Sequence, residues 1–359
     1  MDAAGLRAQF PVLERTAYLN AGTDGPVPEV AVRATRAELD RELRDGRFAA
    51  HFERRSELCT ANRAAYAALI GAVPEDVALT TSTSEGMGLV LAGLDLGPDD
   101  EIVCSDQEHP GLIGPLIAAR ARGVRVRTAP LAALAEAVGP QTTLVACSHV
   151  GWLSGEVAPA ALSELGVPVL LDGAQGAGAV PVDVATLGCA AYAAAGQKWL
   201  CGPDGTGFLY LEPAFAQRLR VTAPSYLSLA DPGAGLDAEM HPDARRFDTP
   251  ALSAEATAFA AAALGVLAEA GWDEVHERGK TLAAALARRL AEAGHRVAPR
   301  GETTLVSWEC ADPAGEKQRL VDEGLVVRDL PGTRLLRASV GAWNDESDLE
   351  RLLGALSPP

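Results

Sequence analysis

Between residues 77 and 211 the chain repeats one pattern: a short, continuously apolar run, then a stretch with helical spacing. The apolar runs lie at 77–80, 101–104, 124–128, 143–147, 167–171, 189–194 and 207–211. Helical stretches occupy 85–94, 111–122, 131–138 and 159–165. Strands that are apolar on both sides must be covered on both faces, and helical crossovers between them make the pairing parallel. The expectation is an α/β fold with a mainly parallel sheet and helices on both faces. Ligands of such sheets bind outside the carboxyl ends of the strands, so function is sought in the residues that follow the apolar runs.

The flanking segments read differently. Tyr18-Leu19-Asn20-Ala21-Gly22-Thr23-Asp24-Gly25-Pro26 is a glycine-bearing loop, followed by amphipathic helices over 28–44 and 52–71. Residues 222–250 are rich in Pro, Gly and Asp and read as a connection. Two alanine-rich helices follow over 253–270 and 272–293, then strands at 305–309, 325–328 and 335–338 and a closing helix over 346–356. The expected organisation is an N-terminal segment over 1–45, a large domain over 46–250, and a small C-terminal α+β domain over 251–359. A chain of 359 residues with 48% hydrophobic content supports one large core and one smaller one.

Charge removes several classes of function. A net charge of −17 argues against a nucleic-acid partner, which needs a basic face, and against docking on anionic membranes. No apolar run reaches membrane-spanning length, and the N-terminus lacks a basic-then-apolar leader pattern. A cytoplasmic protein is expected. The six cysteines are scattered and never form CxxC, so neither a disulfide framework nor a metal site is expected. Lysine is scarce: Lys198, Lys280 and Lys317 stand against 28 arginines. A lysine kept inside an apolar stretch under that bias deserves a chemical reading.

The segment from 168 to 211 supplies one. Val169-Leu170-Leu171-Asp172-Gly173-Ala174-Gln175 places an aspartate at the end of a buried strand. Tyr192-Ala193-Ala194-Ala195-Gly196-Gln197-Lys198-Trp199 places a lysine after the next strand, 26 residues later. Taken singly, such an aspartate is usually a turn or cap residue and such a lysine is usually solvated. Together they can point into one crevice. A buried lysine has a depressed pKa and can form a Schiff base. A carboxylate against a pyridinium nitrogen keeps it protonated, which makes pyridoxal phosphate an electron sink.

On these motifs the chain resembles the class V aminotransferases, pyridoxal-phosphate enzymes of fold type I that include cysteine desulfurases, isopenicillin N epimerase-like proteins and cystine C–S lyases. The resemblance runs from about Tyr18 to Leu356. It is strongest toward the cystine C–S lyase branch, through Glu108-His109-Pro110-Gly111 and Ser148-His149-Val150-Gly151-Trp152-Leu153-Ser154-Gly155. It implies a seven-stranded sheet, pyridoxal 5'-phosphate as cofactor, an amino-acid substrate and a homodimer. It also implies roles: Lys198 as the Schiff-base residue, Asp172 as the pyridinium partner, Gln175 on the ring oxygen and His109 on the ring face. Thr83 and Ser84 would cradle the phosphate at the start of a helix, which suits a dianion on general grounds. Arg337 would grip the substrate carboxylate, and Asn20, Ala21 and Gly22 would line the substrate pocket.

The departures are equally specific. Ala195 and Gln197 stand where the family usually has a Ser or Thr and a His, and Trp152 stands where it usually has an Asn. Thr249 is the candidate for the phosphate contact lent by a neighbouring subunit. The stretch Val327-Arg328-Asp329-Leu330-Pro331-Gly332-Thr333-Arg334 has no cysteine, whereas a desulfurase carries its persulfide-forming cysteine there. Cys310, the nearest upstream, is expected on a buried strand. The leading expectation is therefore β-elimination with C–S cleavage. An aminotransferase or epimerase is the alternative, and a non-catalytic pyridoxal-phosphate-fold binding protein a second.

Overall fold

The computed structural model describes residues 1–357. In chain order the elements are α1 (Ala3–Ala8), β1 (Ala17–Tyr18), α2 (Glu29–Asp45), α3 (Ala49–Leu69), β2 (Val77–Thr80), α4 (Thr83–Gly93), β3 (Glu101–Ser105), α5 (Pro110–Ala121), β4 (Arg125–Ala129), β5 (Thr142–Ser148), β6 (Val169–Asp172), α6 (Val184–Leu187), β7 (Ala191–Ala195), β8 (Gly207–Leu211), α7 (Pro213–Ala216), α8 (Ala254–Ala270), α9 (Trp272–Glu292), β9 (Leu305–Glu309), α10 (Pro313–Asp322), β10 (Leu325–Val326), β11 (Arg328–Asp329), β12 (Leu335–Ser339) and α11 (Glu346–Ala355).

The seven expected strands form one sheet in the order β2-β8-β7-β6-β5-β3-β4, and only β8 runs against the rest. Its inner strands are buried on both faces, as continuous apolar runs require. Along β6, Val169 and Leu171 enter one core while Leu170 enters the other. Along β7, Tyr192 and Ala194 alternate in the same way with Ala191 and Ala193. The edge strand β4 carries Arg125 and Arg127 instead, and Arg127 pairs with Glu101 at 3.0 Å. Charge on an edge strand discourages pairing with another chain.

A second, three-stranded antiparallel sheet has the order β11-β12-β9, and its core includes Leu282, Leu286 and Leu290 of α9. β1 pairs in parallel with β10, and Asn20 bridges to Ser339 at the end of β12. The N-terminal loop is thereby stitched to the small sheet. Helix α8 packs on α2 and α3, and its Leu264 and Leu267 join a core of the large sheet.

Three sequence expectations need correction. Residues 131–138 form a single 3-10 turn, Leu131–Ala133, rather than a helix. Residues 159–165 likewise reduce to the 3-10 turn Ala160–Glu164. Both stretches are hemmed in by prolines and glycines and are too short to repay helix nucleation. Conversely, α10 was not anticipated, because only Leu320 of its ten residues is buried and no apolar stripe marks it. Its start is nevertheless written as Asp312-Pro313: the Asp312 carboxylate accepts from Gly315 N at 3.0 Å, and proline takes the first position.

One buried ion pair anchors the connection after β8 to the large sheet. Arg63 of α3 donates to both carboxylate oxygens of Asp248, at 3.0 and 2.6 Å, and to Val77 O at 2.5 Å. Asp248 also accepts from Leu79 N at 2.9 Å, and both charged residues are 8% exposed. Breaking such a pair strands a charge in the interior. Asp248→Asn is expected to cost about 3–5 kcal/mol, measured as a fall in the urea midpoint at unchanged slope. A variant as stable as the parent would refute the assignment.

Candidate active site

Parallel strands deliver their following loops to one edge of the sheet, and the chemistry collects there. β6 ends on Asp172, 5% exposed, whose carboxylate accepts from Ala174 N at 2.9 Å. β7 runs into Gln197 and Lys198, β3 into Glu108 and His109, and β5 through Ser148 and His149 to Trp152. β12 of the small sheet contributes Arg337 from the opposite side. A cavity of about 250 Å³ is lined by Gly22, Thr23, Asp24, His109, Trp152, Gln175, Gln197, Lys198, Arg328 and Arg337.

Lys198 differs from the other two lysines. Lys280 and Lys317 make surface ion pairs, with Glu277 and Asp329 respectively, both at 2.8 Å. Lys198 has no ion pair among the described residues and sits in the cavity. Burial lowers its pKa to about 8, although Asp172 opposes the shift. Burial also pushes the Asp172 carboxyl above its ordinary range, and the Lys198 charge pulls it back.

Arg337 is 1% exposed and has no carboxylate partner among the described residues. Its guanidinium donates to Trp152 O at 2.7 Å and Thr23 Oγ1 at 3.4 Å, and its Nε is buried without a partner. Burial lowers its pKa to about 9, with a further push from Arg328. A buried guanidinium with a free N–H is suited to bind a carboxylate in a two-point contact. Arg328 lies directly opposite on β11 and lines the same cavity. Sequence reading passed over it; the signal was two arginines flanking the Pro331-Gly332 turn of a hairpin.

His109 caps α5, its Nδ1 accepting from Gly111 N at 3.0 Å, which leaves the proton of the neutral ring on Nε2. Its ring meets Trp152 edge to face, with centroids 5.0 Å apart. Burial, then the charges of Lys198, Arg337 and Arg328, lower its pKa to about 4. Gln175 accepts from Trp199 Nε1 at 3.0 Å and donates to Gly22 O at 2.7 Å, so one amide hydrogen stays free. A side chain at Gly22 would push the site's own groups aside: a Cβ would lie 2.7 Å from Ser339 Oγ and 2.9 Å from both Arg337 and Gln175.

The remaining expected residues fall around this cavity rather than on its wall. Helix α4 begins at Thr83, capped by Ser82, whose hydroxyl accepts from Glu85 N at 3.1 Å. The Ser82 cap takes the Glu85 N–H and leaves those of Thr83 and Ser84 free at the helix start, and Thr83 Oγ1 is buried without a partner. A Cβ on Gly111 would collide with Ser84 Oγ, so this helix start abuts the His109 cap. Asn20 and Ala21 lie behind Gly22, with Asn20 Oδ1 unpartnered. Thr249 is 6% exposed; its N–H donates to Leu79 O at 2.9 Å, and it does not reach the cavity of its own chain. Cys310 corrects another expectation. It lies one residue beyond β9, is half-buried, and lines a separate cavity with His295 and Arg319.

Glu108 directly precedes His109. It is 6% exposed, and burial pushes its carboxyl to about 7 in spite of bonds from Ser105 and Ser148.

These features fit a pyridine ring bearing a phosphate. The Lys198 amine lines the cavity and feels the charge of Asp172 at the end of β6, a helix start with free N–H groups lies beside it, and Thr83 Oγ1, Gln197 Oε1, Trp152 Nε1 and Arg337 Nε are buried without partners. The sequence profile of the aminotransferase class-V family matches residues 18–352, and the chain belongs to that family. It is 31% identical to an isopenicillin N epimerase of Amycolatopsis lactamdurans, across 98% of this chain and 97% of that protein. A second isopenicillin N epimerase, from Streptomyces clavuligerus, is 34% identical over 60% of this chain, and the match spans only 58% of that protein. Among solved structures, a complex of the cystine C–S lyase C-DES with its reaction product cysteine persulfide matches with a TM-score of 0.91 at 30% identity, over 98% of this chain and 100% of that one. A C-DES mutant with glycine covalently linked to the PLP cofactor matches with a TM-score of 0.90 at 30% identity, over 97% and 98% of the two chains. The chain is thus a pyridoxal-phosphate-dependent enzyme of fold type I.

Lys198 as the cofactor's attachment point has a direct test. Only the neutral amine attacks an aldehyde, and a pKa lowered to about 8 makes that form available earlier as pH rises. Apoprotein treated with pyridoxal phosphate and borohydride should carry the label on Lys198, not Lys280 or Lys317, in peptide mass spectra. The labelling rate should rise through pH 8 and flatten well below 10.

Proposed function

We propose that this enzyme is a β-lyase that cleaves the C–S bond of L-cystine or a cysteine S-conjugate. The observation that carries the reading is the pairing of Lys198 with the unpartnered, buried Arg337 in a cavity whose lining holds no thiol. Full-length similarity to the cystine C–S lyase C-DES supports it.

The residues divide the work. Arg337 takes the substrate α-carboxylate in a two-point contact and so fixes which bond of the α-carbon faces Lys198. Arg328, opposite it, adds positive charge at the same end of the cavity. Lys198, neutral above about pH 8, removes the α-proton. Asp172 would hold the cofactor's ring nitrogen, Gln175 would use its free amide hydrogen for the ring oxygen, His109 would cover the ring, and Thr83 and Ser84 would hold the phosphate. When bound, the cofactor supplies a sink for the electron pair left at the α-carbon. The β-sulfur then departs as a thiolate or persulfide anion, which needs no protein nucleophile. Thr249, which does not line the cavity of its own chain, is the candidate for the phosphate contact in a homodimer.

With L-cystine the expected products are pyruvate, ammonia and cysteine persulfide in equal amounts. A D-amino acid formed without pyruvate would establish the epimerase reading, which the Amycolatopsis relative favours. A 2-oxo acid formed without ammonia would establish transamination.

Two substitutions separate lyase from desulfurase. Arg337→Ala is expected to lower kcat/KM by the equivalent of about 2–5 kcal/mol, because a buried carboxylate loses its charged partner. Cys310→Ala should leave turnover within roughly a few-fold, as a modest packing change does. Loss of activity in the cysteine variant, with a persulfide trapped on Cys310 in the parent enzyme, would overturn the lyase assignment.

A further inference from the structure

Glu108 has no part in the chemistry above, yet it is a buried carboxylate beside the cavity with all of its bonds directed at two strand ends. One oxygen accepts from Ser105 N at 3.3 Å, from the Ser105 hydroxyl, and from Ser148 N at 3.0 Å. The other accepts from Ser148 N at 3.0 Å and Ser148 Oγ at 2.7 Å. Ser105 is the last residue of β3 and Ser148 the last residue of β5. The two strands pair only from Glu101 to Val103 on β3 and up to Val145 on β5, so their carboxyl ends are not joined by backbone hydrogen bonds. The Glu108 side chain bridges the ends that the ladder leaves apart.

Each of those ends leads to a cavity residue. His109 follows Glu108 directly. Trp152 lies four residues beyond Ser148, in a loop closed by Gly151 N to Glu156 O at 2.7 Å. Gln107, just before Glu108, ties to that same loop, accepting from Ser154 Oγ at 2.7 Å and donating to Glu156 at 2.5 Å. Trp152 in turn meets the His109 ring and offers its carbonyl to Arg337.

We propose that Glu108 is a positioning residue: by clamping the carboxyl ends of β3 and β5 through Ser105 and Ser148, it fixes His109 against Trp152 and, through the Trp152 carbonyl, the seat of Arg337. The inference rests on the cavity's being the cofactor site, not on which bond the enzyme breaks. Two groups that must stay in register across separate loops are sensitive to small shifts, and a displacement of about 1 Å can cost roughly a hundredfold in rate.

The test uses three variants and two readouts that are independent of turnover. Glu108→Ala removes the clamp, the double variant Ser105→Ala, Ser148→Ala removes its two hydroxyls, and Glu108→Gln keeps its length and one acceptor oxygen for the Ser105 and Ser148 N–H groups. The readouts are the His109 ring resonances in apoprotein, resolved among six histidines, and the affinity for pyridoxal phosphate followed by absorbance. The first two variants should move the His109 resonances and weaken cofactor binding about tenfold or more, while the glutamine variant stays within about threefold of the parent. The substrate KM should rise in parallel, since Arg337 is displaced with Trp152. Folded variants with unchanged His109 resonances and unchanged cofactor affinity overturn the proposal, as does a fall in unfolding temperature with both readouts intact. If Glu108→Ala does not fold, the serine double variant decides on the same criteria. A positive result with no lyase products would leave the positioning role standing and remove the lyase reading instead.

Discussion

Two buried cations, Lys198 and Arg337, share one cavity, and no carboxylate among the described residues is bonded to either. Burial costs each of them hydration, and each pKa falls, to about 8 and about 9. Their combined field reaches His109 and helps to hold its ring neutral. The charges of Asp172 and Asp24 oppose the fall at Lys198, and the Asp172 carboxyl is itself pushed up by burial while Lys198 pulls it down. The field of such a cavity favours an anionic group. The positive interior stands against a chain whose net charge is −17, so this electrostatic character is local and owes nothing to the overall balance of charge.

The rest of the architecture keeps those cations in place. Strands β3, β5, β6 and β7 run in parallel, so all four release their loops at the same edge. Arg337 comes from the other sheet, and the N-terminal loop seals the join where Gly22 lies against Arg337, Ser339 and Gln175. A side chain at that close approach would push those groups aside. The N-terminal loop is therefore a wall of the site and not merely a connection, although it precedes the first strand of the main sheet by more than fifty residues. The Arg63–Asp248 pair performs a comparable task at the far side, holding the segment that carries Thr249 against β2.

Much of this was legible in the chain because the signals are local. A run that is apolar at every position reads as a strand covered on both faces, and all seven such runs are strands. Lys198 stood out because lysine is rare and this one follows an apolar strand. Where signals were weak, reading failed in both directions: residues 131–138 were too short to hold a helix, and α10 was too polar to reveal one. Arg328 and Glu108 carried too little local signal to stand out as site residues. The first gains meaning only from the hairpin that sets it opposite Arg337, and the second only from two serines that lie 3 and 40 residues away.

By itself the sequence determined the fold class, the strand set, the family and the lysine–aspartate pair, because hydrophobic period and residue type act over a few neighbouring positions. Tertiary structure alone decided which side chains share the cavity. It set Cys310 in a different cavity from Lys198. It left Arg337 buried without a counter-charge, and it closed the ends of β3 and β5 with one carboxylate. These are consequences of loops meeting across sheets, and the distances and desolvation that govern them exist only once the chain has folded.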